Sequence, residues 1–385
     1  MQLMEVTNEA QAKLFIGVNV LINKDDPKYI RPLDKDINEV FDKSKNKTFR
    51  FGEAKRWLLF DGENVIGRIA AFTNSKYTNK GDEQPTGCMG FFDCIDNQEA
   101  ANLMFDTAKN WLQSKGMEAM DGPINFGERD RWWGLVVDGF HPPLYGMNYN
   151  QPYYQALFEN YGFKVFFYQI CFGTPITTQL SKKFTDAHAR FVGKPGYTVK
   201  HIDKNNIEKF AVDFCNVYNK AWASHEGNKE MELDQALKLF KSMKPVMDEK
   251  IVWFAYYKDD AVAMYINLPD LNQIFKHLNG KFGPIAKLRF LWYKKFRPCT
   301  RFVGIVYGVV PRFQGTGIDY FMLVEATKVI QGELNYTETE LQWQGDFNPK
   351  ILNISRHIGM EESRRLATFR YLFNREKEFK RHPIL

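Results

Sequence analysis

The sequence predicts a mixed α/β protein made of two tandem lobes of one architecture, and three observations predict it. β-Prone hairpins recur in the two halves, each followed at a similar distance by a short helix ending in glycine. The halves also share their order: helices, the hairpin, a strand, a long helix, another strand, the short helix, closing strands. Antiparallel hairpins beside a strand–helix–strand crossover require a mixed sheet with helices on both faces.

The N-terminal lobe, 1–175, opens on a helical segment from Asn8 to Leu21. Lys55 to Phe72 reads KRWLLFDGENVIGRIAAF, two β-prone runs around the hairpin signal Asp61-Gly62. A long helix follows from Gln98 to Gln113, and Asn150-Gln151-Pro152 leads into a short helix ending at Gly162-Phe163. The C-terminal lobe, 196–385, begins with helices over Asn206–Ala223 and Glu232–Met243. Its hairpin, Ile251 to Ile266, turns at Lys258-Asp259-Asp260, and its long helix spans Ile318–Ile330. Asn348-Pro349 then opens a short helix ending at Gly359-Met360. Between the lobes, Gly173 to Lys200 carries Pro175, Pro195 and several charges, the composition of a connector.

Composition excludes several classes. Of 385 residues, 15% are aromatic and 44% hydrophobic, which is incompatible with intrinsic disorder. No apolar run approaches the roughly 18 residues that span a bilayer. Met1 to Glu5 lacks the basic-then-apolar pattern of a signal peptide. The five cysteines (Cys88, Cys94, Cys171, Cys215, Cys299) form no CxxC pair, which argues against a disulfide framework and a zinc site. Small buried thiols in a reducing cytoplasm are the expectation. A net charge of +6 suits an anionic ligand and is too weak for DNA.

One segment carries chemistry. Ile305 to Leu323 reads IVYGVVPRFQGTGIDYFML: a β-branched strand, Pro311, the turn Gln314-Gly315-Thr316-Gly317, then a helix. Glycines at a strand-to-helix turn let backbone N–H groups approach a ligand, and the helix N-terminus adds partial positive charge. Val310-Pro311-x-x-Gln314-x-x-Gly317 resembles the acyl-CoA signature of the GNAT (Gcn5-related N-acetyltransferase) superfamily. Asn348, Ile351, Ile354, Gly359 and Met360 fall at the spacings of that family's last helix. The tandem arrangement resembles Fem-type aminoacyltransferases, N-myristoyltransferase and a group of bacterial two-lobed GNAT-like proteins.

The resemblance implies transfer of an acyl group from acetyl-CoA or another acyl-CoA, as co-substrate, to a small-molecule or peptide amine near the lobe interface. It implies cofactor contacts from Val309, Val310, Gln314, Gly315, Thr316, Gly317, Ile318 and Asn348, with a backbone N–H of Val309 or Val310 polarising the thioester. Two positions depart from the family pattern. Asp319 stands where glycine or alanine is usual, and Ser355 where a late tyrosine acts as acid. The first lobe has GFFDCIDNQE in place of the loop, with Asp93, Asp96 and Glu99 where phosphates need donors, so it is not expected to bind CoA.

For proton transfer, the strand Thr337–Gln344 places Glu338, Glu340, Gln342 and Gln344 on one face. Such a face is expected to meet solvent or a cleft, making Glu340 the base candidate. Tyr307 and Ser355 are the acid candidates, with His357 expected on another side of its helix. His225-Glu226-Gly227 is a possible acceptor loop. The aromatic insert Asp121–Asn150 suggests a cover over a pocket. The basic, aromatic segment Lys276–Arg301 suggests an amphipathic helix started by Pro284. The alternatives are a silent GNAT-fold scaffold, motivated by Asp319 and Ser355, or a Fem-like enzyme using tRNA or docking on a membrane surface, motivated by the basic segment.

Overall fold

The computed structural model describes residues 1–222 and 230–385, with nothing assigned to the side chain of Trp222. The N-terminal half runs β1 (Gln2–Glu5), α1 (Glu9–Asn23), α2 (Asp34–Val40), β2 (Ala54–Asp61), β3 (Asn64–Phe72), β4 (Thr86–Cys94), α3 (Gln98–Ser114), β5 (Ala119–Gly122), β6 (Leu135–Asp138), α4 (Tyr154–Tyr161) and β7 (Lys164–Pro175). Helix α5 (Lys182–Phe191) links it to β8 (Tyr197–His201), α6 (Ile207–Trp222), α7 (Leu233–Met243), β9 (Val252–Tyr257) and β10 (Asp260–Pro269). Then follow α8 (Asn272–Phe275), α9 (Pro284–Phe296), β11 (Arg301–Val309), α10 (Ile318–Glu333), β12 (Glu338–Leu341), β13 (Gln344–Gly345), α11 (Pro349–His357) and β14 (Glu361–Leu372).

Local chemistry sets these limits. Asn8 and Gln11 form a reciprocal capping box at the start of α1. Asn97 caps α3 through the Ala100 N–H. The two short helices end at Gly162 and Gly359, both left-handed, where a side chain would be strained. Pro284 starts α9 at a position that needs no N–H donor.

The strands form one mixed sheet in the order β1-β2-β3-β4-β5-β14-β7-β12-β11-β10-β9-β8. The closing strands are exchanged between the halves. β14, the last strand in the chain, pairs with β5 of the N-terminal half, while β7 pairs with β12 of the C-terminal half. β7 and β14 lie antiparallel at the centre, from Glu361 opposite Gly173 to Arg370 opposite Lys164. Residues 361–372 therefore lie beside β5, and the pairings made by β7 and β14 cross the lobe boundary.

Each half carries its own core. Met104, Phe105 and Leu112 of α3 pack with Phe158 and Phe163 on one face of the N-terminal sheet. Phe15, Phe72, Phe126, Trp132 and Trp133 pack on the other. The insert aromatics Trp132 and Trp133 are thus largely core, and Trp132 lines a small cavity of about 40 Å³ with Tyr149. In the C-terminal half, Phe210 and Phe214 of α6 join Trp253, Phe254, Phe321 and Met322. Four cysteines are buried, and burial raises the Cys94 thiol to about 12.

The connector differs from its sequence appearance. Its prolines and charges obscure α5, whose Phe184, Ala187 and Phe191 recur at helical spacing and are buried. Phe184 packs on Tyr320, Leu323 and Val324, and Phe191 stacks on Phe321, so α5 lies along α10.

Candidate functional site

β11 and β12 are parallel neighbours only from Arg301 opposite Glu338 to Gly304 opposite Leu341. Beyond that they part: β11 continues against β10 to Val309, while β13 follows β7. The result is a V that opens towards the glycine turn. The Val310 N–H donates to the Val262 carbonyl, so Val309 and Ala263 face each other as a non-hydrogen-bonded pair. The Val309 N–H and C=O therefore point away from β10, into the V. Gln314 Nε2 donates to that carbonyl at 3.1 Å, tying the turn to the strand end.

The turn itself needs glycine. Gly315 and Gly317 sit at φ +72 and +89, and a side chain at Gly315 would meet nothing within 4 Å. Thr316 Oγ1 donates to Phe313 O at 2.7 Å and accepts the Ile318 N–H at 3.4 Å, which fixes the entry into α10. Apart from that bond no side chain caps this helix, so the N–H groups of Asp319 and Tyr320 remain available to an anion. Helix α5 adds a cation that the motif does not contain: a Cβ on Gly317 would lie 3.2 Å from Arg190 Nη2 and 3.1 Å from Ala187 Cβ. Arg190 is exposed. Sequence reading missed it because it lies in the connector and only the fold brings it to the turn.

Asp319 is turned inward. Its Oδ2 accepts the Tyr307 hydroxyl at 2.8 Å, so the carboxylate has a donor of its own. Burial first, then the Asp319 charge, raise the Tyr307 hydroxyl well above its ordinary value. A phenol that holds its proton so firmly is a weak acid towards a thiolate. Ser355 is buried and exchanges hydrogen bonds with the Gln344 amide at 2.8 and 3.1 Å. Asn348 begins α11, its N–H donating to Gly345 O, with no capping bond from its side chain. His357 Nδ1 pairs with Asn353 O on the exposed side of α11. His225, Glu226 and Gly227 lie outside the described residues.

Glu340 has a different environment from the solvated face expected for it. Only Glu338 of that face is exposed; Glu340 is buried at 4%. Its Oε1 accepts from Arg364 Nε at 2.6 Å and Ser363 Oγ at 3.0 Å, and its Oε2 from Arg364 Nη2 at 2.9 Å. Arg301 stands 3.7 Å away and is itself bonded to Asp270. A carboxylate with these lone pairs engaged must break a buried bidentate pair before it takes a proton. The N-terminal half repeats the arrangement. Cys88 opposes Asp121 as Val303 opposes Glu340, and Asp121 is held by Arg370 at 2.7 and 2.8 Å. Both arginines lie on β14, the exchanged strand.

Glu340 and Arg301 form part of the floor of a cleft of about 770 Å³ between the halves. Its other walls include Lys28, Tyr29, His141, Thr174, Lys276, His277 and Glu338. His141 Nε2 lies 3.0 Å from Ser363 O, which suits the tautomer with its proton on Nε2 and leaves Nδ1 able to accept. The His277 ring stacks on Tyr293 with centroids 4.2 Å apart. Burial, then Lys276 and Arg297, hold its imidazole below the ordinary 6.5.

No family model matches the sequence. The chain is 24% identical over 360 residues to a bacterial ceramide synthase of Caulobacter vibrioides, covering 92% of this chain and 93% of that protein. It is 23% identical over 370 residues to Protein YghO of Escherichia coli, covering 94% and 93%. Among solved structures it superposes on a tandem GNAT protein from the clavulanic acid biosynthesis pathway with TM-score 0.54, at 10% identity, covering 98% of this chain and all of that one. A GCN5-related N-acetyltransferase from Sphaerobacter thermophilus gives TM-score 0.51 at 10% identity, with 98% of each covered. The fold is that of the two-lobed GNAT acyltransferases.

Proposed function

We propose that the chain is an acyl-CoA-dependent N-acyltransferase that binds its donor in the V of the C-terminal lobe and its amine in the cleft between the lobes. The observation that carries this reading is the V between β11 and β13, with the Val309 N–H turned into it and an uncapped glycine turn at its mouth. The N–H groups of Gly315, Gly317, Asp319 and Tyr320 and the Arg190 guanidinium are placed to hold a pyrophosphate. The Val309 N–H, beside the glycine turn, is placed to hold the pantetheine arm, which would carry the thioester down the V towards Gly304 and the cleft. In the reaction the amine nitrogen attacks the thioester carbonyl, an N–C bond forms as the C–S bond breaks, and the amine proton passes to a base while the thiolate leaves.

Glu340 serves in this scheme as a structural anchor of the cleft floor. The cleft's lining offers the carboxylates of Glu338, Glu361 and Glu362 and two imidazoles, and His277, held neutral near pH 7, is the proposed base. The name of the Caulobacter relative narrows the acceptor. Ceramides are N-acylated long-chain amino alcohols, so the proposed amine is an amphiphile.

Calorimetric titration with acetyl-CoA and a longer acyl-CoA tests donor binding, and thiol release on adding long-chain amines tests turnover. The buried cysteines keep the thiol background low. Failure to bind any acyl-CoA at millimolar concentration would sink the proposal; binding without turnover on any amine would favour the scaffold reading.

A further inference from the structure

Helix α9 presents an apolar surface that none of the described residues covers. Its inner face is conventional: Ala286 and Phe290 are buried with Ile274, Phe275 and Leu278, and Phe282 and Tyr293 pack beside them. Its outer face carries Ile285 (75% exposed), Leu288 (69%), Leu291 (58%), Trp292 (51%) and Phe296 (57%). Such a density of large exposed apolar side chains on one short helix marks an interaction surface.

The charges that this segment itself carries are all of one sign. From residue 271 to 318 the sequence contains no Asp or Glu and nine Lys or Arg. At about 100° per residue, Lys287 and Lys294 border one edge of the apolar stripe, Arg289 borders the other, and Lys295 falls within it. Lys294 also reaches the Pro245 carbonyl. Carboxylates near the inner face are already engaged: Asp34 by Arg31, Asp36 by the Tyr145 hydroxyl, and Asp270 by Arg301. The outer surface is therefore apolar with a cationic rim, and its chemical complement has an apolar interior and anionic headgroups.

None of the described helices is long and apolar enough to cross a membrane, so α9 can lie in an interface but not span one. Its position gives this a purpose. Tyr293 stacks on His277, and His277 and Lys276 line the cleft between the lobes.

We infer that α9 is an in-plane docking helix that seats the protein on an anionic lipid surface with the cleft beside the headgroups. Docking stands on α9 alone; delivery of an amphiphilic amine from the surface into the cleft rests on the acyl-transfer reading. The test is co-sedimentation of the full chain with vesicles of phosphatidylcholine containing phosphatidylglycerol, compared with pure phosphatidylcholine. The expected result is binding to the anionic vesicles only, weakened by salt. Leu288→Glu with Trp292→Glu is expected to reduce it at least tenfold without changing the thermal midpoint, since both side chains are exposed. Wild-type protein that stays in the supernatant with anionic vesicles overturns the inference, as does undiminished binding by the double variant. A wild-type dimer in light scattering that the same variant converts to monomer, without vesicle binding, would assign the surface to a second copy of the chain instead. Because vesicle binding needs no turnover, a protein that docks but transfers nothing would fail the catalytic reading alone.

Discussion

The two lobes contain the same V, and only one of them is open. In the N-terminal lobe β4 and β5 part after Cys88 opposite Asp121, as β11 and β12 part after Gly304. There the chain after β5 turns back into the space: the Ile124 N–H donates to Met89 O, and a Cβ on Gly90 would fall 1.9 Å from the Ile124 carbonyl. Trp132, Trp133 and Phe126 fill the remainder. At the strand end stands Asp93, paired with Arg68 at 2.6 Å and with Asn19. In the C-terminal lobe the corresponding end is a bare glycine turn with Arg190 beside it. One fold thus serves as packed support where an insert and a buried ion pair close the V, and as a site where backbone N–H groups are left uncovered.

The paired arginine clamps test that comparison with the largest effects. Arg364 and Arg370 are each under 5% exposed, so Arg364→Met strands Glu340 and Arg370→Met strands Asp121. Removing one partner of a buried pair costs about 3–5 kcal/mol. Urea denaturation is expected to show similar losses for both. A Glu340→Gln variant that keeps wild-type stability yet loses turnover would return Glu340 to the role of base.

Changes at His277 should separate the open lobe from the closed one kinetically. His277→Gln is expected to lower kcat about a hundredfold, within the range for loss of a general base. The sign of the pH effect follows from the depressed imidazole, which stays neutral, and able to accept a proton, at pH values below 6.5. Wild-type kcat should therefore hold as pH falls through 6.5 and drop only below it, whereas the residual rate of the variant should lack that step. A variant with the wild-type profile would move the role to His141.

Gly317→Asp places a like charge and a strained backbone at the proposed donor site, and should weaken acyl-CoA binding at least tenfold, about 1.4 kcal/mol. Asp96→Asn, on the loop that replaces it in the closed lobe, should leave that affinity unchanged in calorimetry. Equal responses at both positions would mean that the donor does not distinguish the lobes.

How much of this the sequence disclosed depended on whether a feature was local. The hairpins at Asp61-Gly62 and Lys258-Asp259, the helix ends at Gly162 and Gly359, and the turn Gln314–Gly317 are set by a few neighbouring residues, and each was legible. The exchange of β7 and β14 was not, because strand partners far apart in sequence leave no local mark. For the same reason Glu340 reads as a solvated strand residue although Arg364 covers it from an exchanged strand. Helix α5 left a faint signal, the spacing of Phe184, Ala187 and Phe191, under a composition that suggested a linker.

Arg190 is where that hidden element meets the chemistry. It is exposed, so water screens it and its contribution to holding a phosphate is modest. Arg190→Ala should weaken acyl-CoA binding about threefold, well short of the Gly317→Asp effect. Because the interaction is between exposed charges, the difference between wild type and variant should shrink as salt rises. The matched measurement uses the same acyl chain presented without the nucleotide, as an acyl-pantetheine. If Arg190 contacts the pyrophosphate, the substitution should not change that affinity. If both donors weaken together, α5 acts on the V by packing against Gly317 through Ala187, and the cation is incidental.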